Sequence, residues 1–273
     1  MEEIKFKNLI KKIKENKKYN SISNEVVQKG IEKYIKKYQK DNDQIYDEKF
    51  AIKIIRRELH RLYSSYQTKG KSKRNIFLEK LKENNKIEII NEILSTTLAT
   101  KERLDKYPTI YEKIFSFTEK PKSIIDLGCG LNPISIPYMN LENILYYAYD
   151  IDEVDVKFLN DFFKIAKING EAKILDVREI ENLKNLKKVD IIFMFKLYDL
   201  IVPKNKKLKK IGEEIINILK DKTDFIVVSF PTKTLTRKSM NLPRRIGFEM
   251  MLDRNKLAYK DIQTDNEIFY VVS

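Results

Sequence analysis

The 273-residue sequence contains one cysteine, Cys129, and one histidine, His60. A single cysteine cannot form an internal disulfide, and so few cysteine and histidine side chains disfavour a metal site or a Cys/His catalytic pair. No run of about 18 apolar residues is present, so we expect no membrane-spanning helix. The first five residues, Met1-Glu2-Glu3-Ile4-Lys5, lack the apolar stretch of a secretory signal. These absences together predict a cytoplasmic protein without a metal.

What the sequence does contain is an excess of positive charge, with 54 lysines and arginines against 40 acidic residues. Residues 1–120 hold 29 of these cations against 18 acids, whereas the rest of the chain holds 25 against 22. The surplus is therefore concentrated in the N-terminal part, where a polyanion such as nucleic acid is the natural partner. A lysine- and isoleucine-rich proteome is the alternative explanation, and composition alone leaves both open.

The pattern of apolar residues changes near residue 118. Before that point apolar residues recur at helical spacing, and after Pro121 short apolar runs alternate with helical segments. Alternating buried strands and helices predict a mainly parallel sheet covered on both faces. We therefore predict an α/β fold with a basic helical domain over residues 1–118 and a sheet domain over residues 119–273. The predicted strands are Ser123–Leu127, Ile144–Tyr149, Lys173–Leu175, Val189–Phe195, Phe225–Ser229 and Phe269–Val272.

A glycine-rich turn, Asp126-Leu127-Gly128-Cys129-Gly130, follows the first predicted strand. Glycine lets a backbone pass close to a ligand, and ligands of such sheets bind beyond the carboxyl ends of the strands. Asp150 follows the second strand, where a carboxylate can accept both hydroxyls of a ribose, and Asp176 follows the third, where it can accept from an adenine amine. A dinucleotide fingerprint needs a third glycine where Pro133 stands, so the pattern favours S-adenosylmethionine.

Several separated segments between residues 50 and 272 share the pattern of one known family. They are Arg57-Glu58-Leu59-His60 with Tyr66, Thr100-Lys101-Glu102-Arg103-Leu104, Leu127-Gly128-Cys129-Gly130-Leu131-Asn132-Pro133, Phe195-Lys196-Leu197, Val228-Ser229-Phe230-Pro231-Thr232-Lys233-Thr234-Leu235, and Glu267 with Tyr270. Together they resemble the aminoglycoside-resistance 16S rRNA (guanine(1405)-N(7))-methyltransferases.

The resemblance implies a Rossmann-like class I methyltransferase sheet with S-adenosyl-L-methionine as cofactor. It implies that Arg103 holds the methionine carboxylate, and that the turn of Asp126, Gly128 and Gly130 passes under the cofactor. Asp150 would take the ribose, and Asp176 with Val177 would flank the adenine. Lys196 lies where the fourth strand meets the target site and is the candidate catalytic residue.

The partner implied by the resemblance is 16S rRNA in the small (30S) ribosomal subunit, methylated by a monomeric enzyme. Candidates for contacts with RNA phosphates are chosen on charge alone. They are Lys5, Lys7, Lys69, Lys71, Lys73 and Arg74. The resemblance also implies that the segment Ser229–Lys238 after the fifth strand approaches the RNA, which adds Lys233, Arg237 and Lys238.

The chemistry fits, but the target nucleotide is left open. N7 of guanine carries no proton, so its methylation needs positioning rather than a general base. Attack by an exocyclic adenine amine usually goes with an Asn/Asp-Pro-Pro-Tyr/Phe segment, where this chain reads Phe195-Lys196-Leu197-Tyr198. The chain departs from the family at Thr97, where the family has histidine, and in the glycine-poor segment Thr234–Met240. The alternatives are another rRNA nucleotide or another RNA, a non-catalytic RNA-binding protein with this fold, and a small-molecule methyltransferase.

Overall fold

A computed structural model describes residues 2–38, 47–63, 71, 73–83, 87–202, 209–233 and 243–273. The described residues before position 118 are helical, as the apolar periodicity predicts. The helices are α1 (Glu2–Lys14), α2 (Asn24–Tyr38), α3 (Glu48–Leu62), α4 (Arg74–Glu83), α5 (Ile87–Leu94), α6 (Leu98–Lys101) and α7 (Tyr107–Thr118), with a short 3-10 helix at Leu104–Lys106.

These helices belong to two different apolar cores. Helices α1 to α3 pack around a core of their own, with Ile13, Ile22 and Ile55 at its centre. Helix α3 begins after Asp47, whose side chain accepts a hydrogen bond from the backbone N of Phe50 at 3.1 Å. Helices α4, α5 and α7 contribute their buried residues to the core on one face of the sheet. The domain boundary near residue 118 stays a prediction.

The second part of the chain forms a seven-stranded sheet with the order β3-β2-β1-β4-β5-β7-β6. Strands β1 to β5 pair in parallel, whereas β7 is antiparallel to both β5 and β6. The strands are β1 (Ser123–Leu127), β2 (Leu145–Asp150), β3 (Asn169–Ile174), β4 (Ile191–Phe195), β5 (Phe225–Pro231), β6 (Tyr259–Gln263) and β7 (Glu267–Val272).

Helices cover both faces of this sheet, which confirms the predicted α/β fold. Successive residues of a strand point to opposite faces, so Ile124 belongs to one core and Ile125 to the other. Helix α8 and the 3-10 helix Asn132–Met139 pack on the first face, and α9 to α12 pack on the second. These helices are α8 (Glu153–Ile165), α9 (Ile180–Lys184), α10 (Tyr198–Ile201), α11 (Lys209–Lys220) and α12 (Ile246–Arg254).

Three elements differ from the sequence-based expectation. The strand predicted at Lys173–Leu175 begins four residues earlier, at Asn169, and ends at Ile174. The spacing of apolar residues predicts a helix over Asp155–Asn169, whereas α8 ends at Ile165, because Lys167 adopts a positive φ of 54° and Asn169 already begins β3. Strand β6 is absent from the predicted strands, since its sequence Tyr-Lys-Asp-Ile-Gln is largely polar and three of its residues are exposed. It is an edge strand whose conformation is set by pairing with β7.

Strand β1 has β2 on one side and β4 on the other, so the order of the strands along the sheet reverses at β1. This reversal opens a crevice beyond the carboxyl ends of β1 and β4, the usual place of a ligand in such sheets. In the described part of the chain, no helix combines the length and apolar character needed to cross a membrane.

Candidate functional site

A cavity lies at this crevice, beyond the carboxyl ends of the central strands. Residues of the N-terminal helices complete its wall, including Leu62 at the end of α3 and the adjacent Tyr63. Seven residues singled out from the sequence line the same cavity: Arg103, Gly128, Gly130, Asp150, Asp176, Val177 and Lys196.

The glycine turn after β1 borders the cavity. Gly128 and Gly130 have φ angles of +60° and +49°, which residues with a Cβ rarely adopt. A Cβ on Gly128 would lie 2.7 Å from Cδ1 of Leu197, whereas a Cβ on Gly130 would meet no heavy atom within 4 Å. Cys129 between them is buried, and burial raises the pKa of its thiol well above the usual range. The turn therefore leaves open space above Gly130, and Cys129 is a packing residue.

Asp150 ends β2, and backbone amides fix its carboxylate. Its Oδ2 accepts from the N of Gly130 at 2.8 Å, and its Oδ1 accepts from the N of Ile151 at 2.7 Å and of Asp152 at 3.1 Å. Burial and the neighbouring Asp155 raise the pKa of Asp150 to about 7, although the amide hydrogen bonds act in the opposite direction. Asp150 is thus an oriented carboxylate in the cavity wall that titrates near neutral pH.

Asp126 lies beneath the glycine turn rather than in the cavity wall. Its Oδ2 accepts from Nδ2 of Asn132 at 2.9 Å and from the hydroxyl of Tyr146 at 2.7 Å. Its Oδ1 is buried and has no hydrogen-bond partner among the described residues. Burial raises the pKa of Asp126 to about 6. Asp126 therefore supports the turn from below, and its direct contact with a cofactor stays a prediction.

Asp176 and Val177 follow β3 at another edge of the cavity. The carboxylate of Asp176 accepts from Nε of Arg178 at 2.9 Å and from its Nη2 at 2.6 Å. Burial disfavours the charged form, but Arg178 lowers the pKa of Asp176 below its ordinary value. Arg178 also donates through Nη1 to Oε1 of Glu58 in α3 at 2.9 Å. Two successive ion pairs, Asp176–Arg178 and Arg178–Glu58, therefore connect this edge of the cavity to α3.

Arg103 is buried and forms two hydrogen bonds with Glu267, the first residue of β7. Nε donates to Oε2 at 2.9 Å and Nη2 donates to Oε1 at 2.8 Å, while Nη1 lies 3.5 Å from Oδ1 of Asn132. Although burial disfavours the cation, Glu267 raises the pKa of Arg103 above its ordinary value. Glu267 occupies two of the five N–H groups of the guanidinium, and the contact of Nη1 with Asn132 is long, so Nη1 is the nitrogen best placed to meet a ligand.

Lys196 follows β4 with a positive φ of 55°. Its backbone N donates to the carbonyl of Ser229 at 3.1 Å and to its Oγ at 3.0 Å, which ties the turn to β5. Its ammonium donates to Oε2 of Glu102 at 2.7 Å and lies 3.4 Å from Oε2 of Glu267. The side chain is a buried, paired cation, so it is placed to supply charge and hydrogen bonds rather than to accept a proton. The catalytic role of Lys196 stays a prediction.

Two of the phosphate contacts predicted from charge are corrected by the structure. Arg74 is 2% exposed and donates to Oδ1 of Asp155 at 2.5 Å. The ammonium of Lys71 donates to Oδ2 of Asp152 at 2.6 Å and lies 3.0 Å from Oδ1 of Asp155. Buried carboxylates at the start of α8 already neutralise both cations, so they attach the N-terminal helices to the sheet instead of binding RNA.

The other predicted phosphate contacts have different positions. Lys73 is exposed and Lys233 is half-buried, so both remain candidates. Lys69, Arg237 and Lys238 lie outside the described residues.

Sequence reasoning missed several side chains of the site, namely Tyr63, Glu102, Arg178 and the pairing role of Glu267. Arg178 had a local signal, because a cation two residues after Asp176 can reach back to its carboxylate. Glu267 also had one, since it is a lone charge at the start of an otherwise apolar strand. Nothing in the sequence indicates that it pairs with Arg103, which lies 164 positions away.

Comparison with known proteins places the chain among enzymes that modify ribosomal RNA. A family model described as "Ribosomal RNA methyltransferase (FmrO)" matches residues 15–271. A Proteus mirabilis protein named 16S rRNA (guanine(1405)-N(7))-methyltransferase is 29% identical over 251 residues, which are 84% of this chain and 85% of that protein. A Frankia casuarinae protein of the same name is 23% identical over 236 residues, or 83% of this chain and 81% of that protein.

Solved structures share the fold. The 16S rRNA methyltransferase RmtF in complex with S-adenosyl-L-homocysteine superimposes with a TM-score of 0.78 at 20% identity, over 98% of this chain and 97% of that chain. The 16S rRNA methylase ArmA gives a TM-score of 0.53 at 25% identity, over 73% of this chain and 97% of that chain.

Proposed function

Because this chain belongs to the ribosomal RNA methyltransferase (FmrO) family, we propose that it methylates N7 of guanine 1405 in 16S rRNA, the reaction for which its Proteus mirabilis relative is named. The methyl donor is S-adenosylmethionine, and the substrate is the small ribosomal subunit. The observation that carries the proposal is the cavity at the strand reversal, which gathers Arg103, Asp150 and Asp176 around the glycine turn.

The strand order supports an assignment of each part of the cofactor. Along the sheet edge, Asp176 follows β3, Asp150 follows the neighbouring β2, and the glycine turn follows β1. In this order the adenine lies at β3, the ribose at β2, and the methionine over the turn. Asp176, kept ionised by Arg178, accepts from the adenine amine, and Asp150 accepts from the ribose hydroxyls.

The chain's own groups fit such a ligand. Arg103 has N–H donors beyond those that Glu267 occupies, and these suit the methionine carboxylate. The open space above Gly130 admits the cofactor where a side chain would fill the cavity. When bound, S-adenosylmethionine supplies an electrophilic methyl group on a sulfonium.

The residues around the target act by positioning. N7 of guanine has a lone pair and no proton, so methyl transfer needs in-line alignment and no general base. Lys196 is consistent with that demand, because its ammonium is paired with Glu102. The enzyme must also unstack the guanine from a folded RNA, which costs a few kcal/mol that contacts elsewhere supply.

We place those RNA contacts in residues 1–118, on a row of exposed cations along α3. Lys49, Lys53, Arg57 and Arg61 recur every four residues, so about 6 Å of helix rise separates neighbours. Arg61 donates to the carbonyl of Leu200 at 3.2 Å, and Leu200 belongs to the cavity wall. This α3 basic row therefore leads to the mouth of the cavity, which is where an RNA backbone must pass to present its base.

Replacing Lys53 and Arg57 together with alanine is expected to weaken binding to small subunits and to lower the slope of log K against log salt by up to about 2. Binding would be measured by filter retention at several salt concentrations, with cofactor affinity unchanged by calorimetry. The matched control removes two exposed lysines from α8, Lys157 and Lys164. If the control pair lowered the slope equally, the α3 basic row would have no special role.

The affinity for S-adenosylmethionine is expected to depend on pH through Asp150. Its pKa of about 7 lies above the ordinary 3.8, so below pH 7 the ligand-free protein carries a proton on this carboxyl. Ribose hydroxyls bind the ionised form, so affinity falls as pH falls, and Kd rises about tenfold from pH 8 to pH 6. Calorimetry across this range tests it. Asp150→Asn should bind more weakly with a flatter profile, and an unchanged slope in that variant would assign the titration to another group, such as Asp126.

The decisive experiment for the function is incubation with small ribosomal subunits and labelled cofactor, followed by borohydride–aniline cleavage at N7-methylguanine. We expect cleavage at guanine 1405, and aminoglycoside resistance in a strain that expresses the protein. Methylation without cleavage there would mean a different nucleotide. A protein that binds RNA but no cofactor in calorimetry would be a non-catalytic relative.

We further propose that the enzyme acts as a monomer in the cytoplasm, where small subunits are found.

A further inference from the structure

Lys196 lines the cavity beyond the end of β4, and its pairing with Glu102 is only partly explained by cofactor binding. Lys196 follows β4, on the side of the glycine turn away from β3. Its ammonium is 2.7 Å from Oε2 of Glu102, whose side chain is 29% exposed where that of Lys196 is 6% exposed. Among the described residues, no hydrogen bond reaches the second oxygen of Glu102, Oε1. The pair thus offers a paired ammonium and an available carboxylate oxygen side by side.

Charge balance requires a second anion beside Arg103 and Lys196, but it does not explain why that anion, Glu102, is partly exposed. Glu267 is completely buried and already contacts both cations of this region, with Arg103 at 2.8 Å and Lys196 at 3.4 Å. Glu102 is the member of this group that remains open to solvent. A half-exposed carboxylate beside the target position has the properties of a group that meets the substrate.

Guanine has the complementary arrangement of donors and acceptors. Its N1–H and 2-amino group are donors on one edge, and O6 and N7 are acceptors on the neighbouring edge. N1 and O6 are adjacent positions, so a carboxylate oxygen and an ammonium 2.7 Å apart can face them together. Adenine would present its 6-amino donor to the ammonium and an unprotonated N1 to the carboxylate, and both contacts would be repulsive.

We propose that the Glu102–Lys196 pair selects guanine as the base to be methylated. Glu102 accepts from N1–H and the 2-amino group, and Lys196 donates to O6, which leaves the adjacent N7 directed at the cofactor. This assignment rests on the proposed function, because it requires that the substrate is an unstacked guanine. It makes Glu102 a specificity-determining residue and gives Lys196 a binding role without proton transfer.

The test is a double-mutant cycle between Glu102 and the 2-amino group of the base. Small subunits are reconstituted with 16S rRNA that carries either guanosine or inosine at the target position, since inosine lacks only that amino group. Wild-type enzyme and Glu102→Gln are compared on both by kcat/KM. Wild type is expected to lose about tenfold or more on inosine. Glu102→Gln should lose as much on guanosine but little further on inosine, with cofactor Kd unchanged.

The contrary outcomes are distinct. If inosine lowered the activity of both enzymes by the same factor, or left wild type unaffected, Glu102 would not recognise the amino group and the proposal would be overturned. If Glu102→Gln folded poorly, the cycle would be run with Glu102→Asp, which keeps the charge that pairs with Lys196 but shortens the side chain by one methylene, and the same loss of coupling is expected. Glu112→Gln, an exposed acid on α7, serves as the control that should behave as wild type. Failure of wild type to methylate guanosine subunits would overturn the proposed function itself, whereas activity without coupling overturns only this assignment.

Discussion

Replacing Arg103 with alanine is expected to abolish binding of S-adenosylmethionine and to lower the free energy of unfolding by about 3–5 kcal/mol. The first effect follows because, in the proposed function, Arg103 is the cation that binds the methionine carboxylate. The second follows because Glu267, which is 0% exposed, loses both hydrogen bonds from the guanidinium. Lys196 at 3.4 Å is then its main remaining counter-charge. Calorimetry with the cofactor and urea denaturation measure the two effects separately.

One further variant separates the charge of Arg103 from the geometry of its hydrogen bonds. Arg103→Lys keeps a cation but cannot make two parallel hydrogen bonds to Glu267, so it should recover part of the stability and little of the cofactor affinity. The control is Arg254→Ala, because that arginine pairs with Glu213 while its side chain is 61% exposed. Its loss should change stability by less than about 0.5 kcal/mol. If Arg103→Ala bound the cofactor normally, the carboxylate would have to be held elsewhere.

The sequence predicts the centre of this fold well because the signals there are local. Strands β1, β2, β4 and β5 are short apolar runs, and a strand buried on both faces has to be apolar along its length. The acid or the glycine turn that follows a strand then lies at its carboxyl end. Parallel pairing brings all of these ends to one edge of the sheet, so the order of the residues along the chain is enough to group Gly128, Asp150 and Asp176.

The rest could not be predicted, because it depends on contacts between distant positions. Lys71 lies 81 positions before Asp152, and no local pattern indicates that this cation is neutralised by a buried carboxylate rather than exposed to RNA. Counting charges therefore identifies the basic part of the chain but does not show which of its cations are buried and paired. The exposed row on α3 is recognised only from the burial of each lysine and arginine. Strand β6 could not be predicted for a related reason, because its conformation is determined by pairing with β7 and not by its own sequence.

One short loop joins the two halves of the proposed function. We assign Asp150 to the ribose of the cofactor, and two residues later Asp152 holds the N-terminal helices. The backbone reinforces this attachment, since the N of Ser23 donates to the carbonyl of Ile151 at 3.0 Å and the N of Glu153 donates to that of Ser21 at 2.8 Å. The N-terminal helices are therefore fixed directly to the end of β2, the strand whose Asp150 we assign to the ribose.

Replacing Asp152 with alanine is accordingly expected to lower the free energy of unfolding by about 3–5 kcal/mol. The side chain is 0% exposed and accepts from the hydroxyl of Ser21 at 2.5 Å, the hydroxyl of Tyr63, and the ammonium of Lys71 at 2.6 Å. It also caps α8 by accepting from the N of Asp155 at 2.8 Å. Urea denaturation of the variant, with cofactor absent, measures the loss.

Asp152→Asn keeps the size of the side chain and, through Oδ1, the helix cap, but it removes the charge and replaces the accepting Oδ2 with an amide donor. Because the cap is retained, its loss should be smaller than that of the alanine variant, about 1–3 kcal/mol. Amide hydrogen exchange locates the effect. In both variants protection should fall first in α2 and α3, while β1 and β4 stay protected, because the attachment fails before the sheet does. Methylation of small subunits should then fall further than cofactor affinity, since the α3 basic row is no longer fixed beside the cavity. Exchange that rose equally in the sheet and in α3 would mean that the helices and the sheet unfold as one unit, and that Asp152 is not a separate anchor.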